Sequence, residues 1–176
     1  MELEQEHKDV LEEHLPYELD MLEEALSRWG SLPKEPDFFR RNSTIETFWV
    51  HARNIHEFFQ NKQTNGRTAA ANKFTTKSIY YEFKEFGNKI QNIHDQIAHL
   101  NYSRPRTAEQ KLDLAFARRV KEAIDRAVGN FQANLRPEAT RYWRTRSAKQ
   151  IASVSELALN SSHTTSLSKT VGFNSR

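Results

Sequence analysis

The stretch from residue 94 to residue 104, HDQIAHLNYSR, holds the side chains best suited to catalysis in this sequence. On a helix, Asp95 and His99 are four residues apart and project from one face, where they can hydrogen-bond. A carboxylate that orients an imidazole prepares it for general acid or base chemistry near neutral pH. His94 lies about 140° around the helix from His99, so the two histidines do not point the same way. A second interpretation stays open, in which His99 and Asn101 cap the helix end and satisfy its last carbonyls.

A long helix must carry this pair. Apolar residues before it recur at alternating steps of four and three, which predicts a helix with one narrow buried seam. The seam consists of Ile79, Phe83, Phe86, Ile90, Ile93, Ile97 and Leu100. It is expected to bury against neighbouring helices or against a second copy of the chain. Tyr102 and Arg104 follow at a tight corner, because Pro105 prevents simple continuation of the helix.

Three further helices are predicted around this one. The first follows a short acidic lead-in, starts near Pro16 and ends at about Trp29. The second starts at residues 43–46 (STIE) and the fourth at residues 107–110 (TAEQ), since both have the spacing of a capping box. Pro137 ends the fourth helix. Four helices with short corners predict an all-α fold, an antiparallel bundle of four main helices.

The rest of the chain is divided by composition. Residues 60–75 lose the helical period and contain an Asn-Gly turn signal, so we predict a loop in which the alanines favour a short helical turn. The predicted divisions are an acidic N-terminal helix and linker at 1–36, the bundle core at 37–136, and a basic, Ser- and Thr-rich tail at 137–176. One short helix followed by disorder is expected in that tail.

The second predicted helix contains HARNIHEFF at residues 51–59, and the third ends in Asp95-Gln96-Ile97-Ala98-His99. With these two segments the chain resembles the HEPN superfamily over roughly residues 43–131. That family consists of small all-α bundles, many of which are RNA-cleaving toxins or parts of prokaryotic defence and stress systems. Its motif is an arginine, a polar residue, about three variable residues and a histidine. Asp95 and His99 match the last two fixed positions, and His94 occupies the arginine position.

The resemblance implies a metal-independent endoribonuclease that acts as a homodimer, with histidine as general acid or base and arginine on the phosphate. The candidate catalytic residues are His99, Asp95, His94, Arg104, Tyr102 and Arg53. In this set, Arg104 or Arg53 would supply the charge that His94 replaces only in part. RNA and an antitoxin or other partner protein are the implied partners. A catalytically inactive helical interaction module, which dimerises or binds a partner protein, is the alternative.

A basic and aromatic segment, RYWRTRSAK, occupies residues 141–149. Cationic side chains contact phosphates and aromatic rings stack on bases. The nucleic-acid-binding candidates are therefore Arg141, Arg144, Arg146, Lys149 and Trp143. We favour the alternative, in which Tyr142 and Trp143 pack on the bundle while the arginines are solvated or meet the acidic N-terminal segment.

Charge is unevenly distributed along the chain. Residues 1–25 hold ten acidic side chains and one lysine, a net charge of −9, so the remaining 151 residues carry +12. Such segregation is typical of intramolecular or head-to-tail pairing, of a basic surface that meets an anion, or of solvated helix faces. The sequence has no cysteine, no HExxH pattern and no glycine-rich phosphate loop, so neither a metal nor another cofactor is predicted. The lack of cysteine and of a long apolar run predicts a cytoplasmic protein without a membrane partner.

Overall fold

The computed structural model describes residues 2–35, 37–60, 69–77, 83, 93 and 112–144. Within these ranges the chain is mainly helical and contains no β-strand, which confirms the predicted helical class at that level. The helical elements are α1 (Gln5–Asp9), a π-helical turn (Val10–His14), α2 (Leu15–Gly30), α3 (Phe38–Gln60), a 3₁₀ turn (Ala71–Lys73), α4 (Leu114–Ala133) and α5 (Pro137–Thr140). None of these helices is long and apolar enough to cross a bilayer. Met1–Trp143 forms one compact unit, and a second begins at Arg144, the last residue described.

The acidic N-terminal segment is helical, where the sequence predicted only a lead-in. The predicted start near Pro16 is nevertheless found, since α2 begins at Leu15. A proline inside a helix lacks an N–H donor and clashes with the carbonyl four residues before it. The π-helical turn Val10–His14 ends two residues before Pro16, so the regular hydrogen-bond pattern is interrupted in the turn that precedes the proline.

Helix α3 begins at Phe38, five residues before the predicted capping box. The carboxylate of Asp37 accepts a hydrogen bond from the backbone N–H of Arg40 at 2.8 Å. Because Asp37 already satisfies a free N–H of the first turn, the helix starts there. The hydroxyls of Ser43 and Thr44 instead donate to the carbonyl of Arg40 at 3.2 and 2.8 Å. The prediction of a helix start at residues 43–46 is therefore wrong.

Helix α4 is capped in the same way. The carboxylate of Asp113 accepts a hydrogen bond from the backbone N–H of Phe116 at 2.7 Å, and Asp113 itself is extended. The helix therefore begins at Leu114, and its predicted start at residues 107–110 is wrong. Those four residues lie outside the described ranges.

An aromatic core joins α2, α3 and α4. Helices α2 and α3 are antiparallel, as a contact between Glu18 and His51 at one end and a shared cavity of Arg28 and Thr44 at the other show. Helix α4 runs in the direction of α3. Its Phe116 stacks on Trp49 and its Phe131 meets Phe59 edge-on, with ring centroids 5.6 and 5.8 Å apart. The largest fully buried side chains are Trp49, Phe48, Phe59, Phe74 and Phe131.

Residues 69–77 cover the C-terminal end of α3. The 3₁₀ turn Ala71–Lys73 agrees with the short helical turn predicted at the alanines. After it, Thr75 pairs with Leu135 in an isolated antiparallel bridge. Two residues of the predicted third helix, Phe83 and Ile93, are described and both are buried. The rest of that prediction lies outside the described residues.

Candidate functional site

Glu18 on α2 and His51 on α3 form the most buried imidazole–carboxylate contact in the described chain. Nδ1 of His51 lies 2.7 Å from Oε2 of Glu18. The side-chain amide of Asn54 donates to the same carboxylate oxygen at 3.2 Å, and the ring of Tyr17 meets the imidazole edge-on at 5.7 Å. His51 is buried because it lies within the apolar stripe of α3, between Trp49 and Ala52. These contacts hold α2 against α3.

A cavity of 230 Å³ lies beside this contact. We call it the acidic pocket. Its apolar lining consists of Val10, Leu15, Ile55, Phe58 and Ala69, and its polar lining of His14, Glu18, Asn54 and Glu57. The π-helical turn contributes Val10 and His14, so the local widening of the helix helps to shape the cavity. Such π-helical turns are frequent at functional sites.

The polar lining of the acidic pocket determines what it can bind. An imidazole held by a carboxylate is the usual geometry of an oriented general base. Two carboxylates nevertheless give the pocket a negative potential, which favours a cationic group and opposes a phosphate. Arg53 offsets part of this potential, because its guanidinium donates to Glu57 at 2.9 Å, so one carboxylate charge is left in excess at the pocket. The arrangement therefore suits an apolar group that carries a positive charge.

The predicted catalytic residues are only partly described. Arg53 is the one that the structure places, on the partly exposed face of α3 beside Glu57. The others lie outside the described residues; they are His94, Asp95, His99, Tyr102 and Arg104.

The predicted nucleic-acid-binding segment begins next to the N-terminus. The ring of Trp143 packs edge-on against Phe131 at 5.6 Å, and the guanidinium of Arg141 lies 4.9 Å from the ring centroid of Tyr142. The Tyr142 hydroxyl donates to the carboxylate of Glu2 at 3.4 Å. This matches the interpretation in which the aromatic residues pack on the bundle and the segment meets the acidic N-terminus. Arg144 is exposed, and Arg146 and Lys149 lie outside the described ranges.

Glu2 is held by cations as well. The ammonium group of Lys8 donates to Oε1 of Glu2 at 2.9 Å and lies 5.2 Å from the ring centroid of Tyr142. The hydrogen bond from Lys8, followed by the charges of Lys8 and Arg141, lowers the pKa of the Glu2 carboxyl. Lys8, Arg141 and Tyr142 therefore form a surface that stabilises an anion.

No family model, curated protein or solved structure matches the chain. The assignment of function therefore depends on the chemistry of its own residues.

One group of possible metal ligands is present among the described residues: Glu4, Glu6 and His7, whose ligand atoms lie within 4.8 Å of one another. Both carboxylates are exposed, and exposed acidic groups commonly lie this close without an ion. The ring of His7 also packs edge-on against Phe74 at 5.5 Å.

Sequence reasoning missed an exposed aromatic pair at the start of α3. Phe38 and Phe39 are 83% and 80% exposed. Arg40 and Arg41 follow them, also exposed, and neither forms an ion pair with any residue in the described ranges. We call these four residues the aromatic end. The available signal was the FFRR sequence itself, which precedes the predicted helix start at residues 43–46.

Proposed function

We propose that this protein is a cytoplasmic, metal-independent endoribonuclease of HEPN type that acts in a defence or stress system. In this proposal the chain is an antiparallel bundle of four main helices, and the HEPN resemblance implies that it works as a homodimer. The observation that carries the RNA part is the arrangement of Lys8, Arg141 and Tyr142 around the carboxylate of Glu2. A phosphodiester presents the same negative charge and the same kind of acceptor oxygen.

The RNA backbone would bind along the basic segment. Arg141, Arg144, Arg146 and Lys149 follow one another within nine residues of the sequence, and the first of them, Arg141, belongs to the surface that stabilises Glu2. A series of cations with interleaved aromatic rings supports a sequence-independent contact with single-stranded RNA. Trp143 would contribute to this contact less than a free ring does, because it packs on Phe131.

Cleavage would use the pair that the sequence predicts at the end of the third helix. His99, oriented by Asp95, would accept the proton of the ribose 2′-hydroxyl, whose oxygen then attacks the phosphorus and displaces the 5′-oxygen. A permanent cation must hold the phosphate as charge builds on its oxygens. We assign this role to Arg104, since Arg53 is engaged by Glu57 at the negatively charged acidic pocket. Tyr102 and His94 remain candidates for the proton that the leaving oxygen takes up.

The test is cleavage of end-labelled single-stranded RNA in the presence of a chelator. We expect His99→Ala to lower the rate about 10²–10⁴-fold, the usual contribution of a general base, with the helical circular dichroism unchanged. His14→Ala is the matched control, because His14 is exposed and outside the proposed catalytic set. Intact RNA after incubation with micromolar wild-type protein, or equal rates for wild type and His99→Ala, would refute the enzymatic proposal.

Binding and cleavage can be separated. Arg141→Ala should raise the RNA dissociation constant and flatten its salt dependence, since one phosphate contact is lost. It should leave the single-turnover rate at saturating RNA unchanged. An equal loss in single-turnover rate would instead place Arg141 at the reacting phosphate.

A second candidate function is a non-catalytic helical interaction module. The specific observation in its favour is the exposure of Phe38 and Phe39, since contiguous apolar surface of this kind typically marks an interaction site. A stable oligomer or partner complex combined with wild-type behaviour of His99→Ala would support this candidate. A monomeric mass in light scattering with no co-purifying protein would count against it.

A further inference from the structure

The aromatic end has the properties of a group that binds in a pocket on another molecule. Its two phenylalanine rings are more than four-fifths exposed, so a flat surface would cover only part of each ring and a concave one is needed. Arg40 and Arg41 add two exposed positive charges within one turn of the rings. Asp37, the nearest described acid, already accepts the hydrogen bond that caps α3.

The acidic pocket has the complementary properties. Its volume of 230 Å³ lies below the roughly 300–1,000 Å³ of most small-molecule sites. One aromatic side chain is therefore a better match in size than a nucleotide or a cofactor. Phe58 and Ile55 offer apolar contact inside, while Glu18 and Glu57 offer carboxylates at the same cavity. A carboxylate accepts up to four hydrogen bonds, so the existing contacts of Glu18 and Glu57 leave capacity for an incoming guanidinium.

The two surfaces lie near opposite ends of α3. Phe39 and Ile55 are 16 positions apart, which is about 24 Å along a helix. A chain therefore cannot place its own aromatic end in its own acidic pocket. A second copy offers both the rings and the charges that the pocket fits.

We propose that copies of this protein associate head to tail, with Phe38 or Phe39 of one copy in the acidic pocket of the next and Arg40 or Arg41 against Glu18 and Glu57. The segregation of charge along the sequence, −9 in residues 1–25 and +12 in the rest, favours the same orientation. A contact between two different patches is heterologous, so it continues into a ring or a linear assembly rather than closing as a two-fold dimer. This proposal is independent of RNA cleavage, and it replaces the two-fold homodimer that the HEPN resemblance implies with a heterologous contact between copies.

The test uses two variants that each remove one half of the contact. Phe38→Ala/Phe39→Ala keeps the acidic pocket and loses the rings, whereas Glu57→Lys keeps the rings and reverses a charge at the pocket. In sedimentation velocity over a concentration series, wild type should form species larger than a dimer and each variant alone should be monomeric. An equimolar mixture of the two variants should form a 1:1 heterodimer and nothing larger, because only one productive contact is left. Added salt should weaken every assembly, since exposed charges are screened.

Two controls belong to this experiment. Val50→Ala removes another exposed apolar side chain of α3, and Glu46→Lys makes the same charge reversal on an exposed acid of that helix. Both should assemble as wild type, as should His99→Ala. Three outcomes would overturn the proposal: a monomeric wild type at every concentration, a Glu57→Lys variant that assembles as wild type, or a mixture that stays monomeric. A two-fold dimer that survives Phe38→Ala/Phe39→Ala would likewise show that another surface joins the copies.

Discussion

Helix α3 carries two Phe-Phe pairs with opposite environments. Phe58 and Phe59, near its C-terminal end, are 6% and 0% exposed, whereas Phe38 and Phe39, at its N-terminal end, are 83% and 80% exposed. The residues and the helix are the same, so intrinsic hydrophobicity does not explain the difference. What differs is whether other elements of the fold pack against the pair.

The buried pair is surrounded by other elements. The ring of Phe58 lies 6.1 Å from that of Phe74, which follows the 3₁₀ turn, and 5.5 Å from that of Phe131 on α4, so both segments cover it. At the other end, Arg28 near the end of α2 lines a cavity with Ser43 and Thr44 of α3. The exposed pair lies more than one turn beyond that level, where α2 no longer continues. An apolar pair is thus buried only where a neighbouring helix is long enough to reach it, and an uncovered pair is free to bind another molecule.

The largest effect on stability is expected from removing one ring of the buried pair, and we compare it with removing one ring of the exposed pair. Phe59→Ala should lower the free energy of unfolding by about 3–5 kcal/mol, because it opens a cavity among rings that cannot close around it. Phe39→Ala should change it by less than about 0.5 kcal/mol, as is usual for a surface position. Urea unfolding followed by circular dichroism at high salt measures both without assembly. Similar losses from the two substitutions would mean that the two ends do not differ as described.

A smaller effect is expected at the contact that joins α2 to α3 beside the acidic pocket. His51→Ala leaves the partly buried Glu18 carboxylate without its closest partner, so we expect a loss of about 1–3 kcal/mol. Arg53→Ala, at the residue directly before Asn54 on the same helix, is the control. It breaks a more exposed i, i+4 pair with Glu57, and such pairs contribute about 0.3–0.5 kcal/mol. A loss for Arg53→Ala as large as that for His51→Ala would contradict this ranking.

The apolar periodicity of the sequence predicted the buried faces of the helices well. Most apolar residues at helical spacing in the described helices are buried, because a period of 3.6 residues identifies one face whatever lies against it. The exceptions are Leu26, Trp29, Ile45 and Val128, which are only partly buried. The starts of α3 and α4 were predicted wrongly, because Asp37 and Asp113 cap them at positions that the capping-box pattern does not favour. Periodicity locates a buried face, but it does not show which of several nearby polar residues caps the helix.

The candidate site was harder to predict for a different reason. Glu18 and His51 are 33 residues apart, and their contact depends on the longitudinal register of two antiparallel helices. A stripe shows which face is buried and carries no information about register, so a histidine within a stripe was the only available signal. The exposure of Phe38 and Phe39 depends in the same way on where α2 ends. The Glu18–His51 contact and the exposure of the Phe38–Phe39 pair both depend on tertiary packing, which the local sequence pattern does not encode.

The smallest effect is expected where the N-terminus lies over Tyr142. The pKa of Glu2 is lowered from its ordinary value of 4.5, chiefly by the hydrogen bond from Lys8, so the contact is fully formed above that value and is lost as pH falls through the lowered pKa. In NMR spectra recorded from neutral pH to about 3, the Tyr142 ring signals should therefore shift only at the acidic end of the titration. Glu2→Gln should show the shifted signals at neutral pH, whereas Glu6→Gln, an exposed acid four residues along the chain, should not. Neither substitution should alter the unfolding midpoint, because the carboxylates of Glu2 and Glu6 are exposed and solvent screens their charges. A Tyr142 titration that persists in Glu2→Gln would assign the anion at this surface to another carboxylate, and with it the surface that the RNA proposal uses.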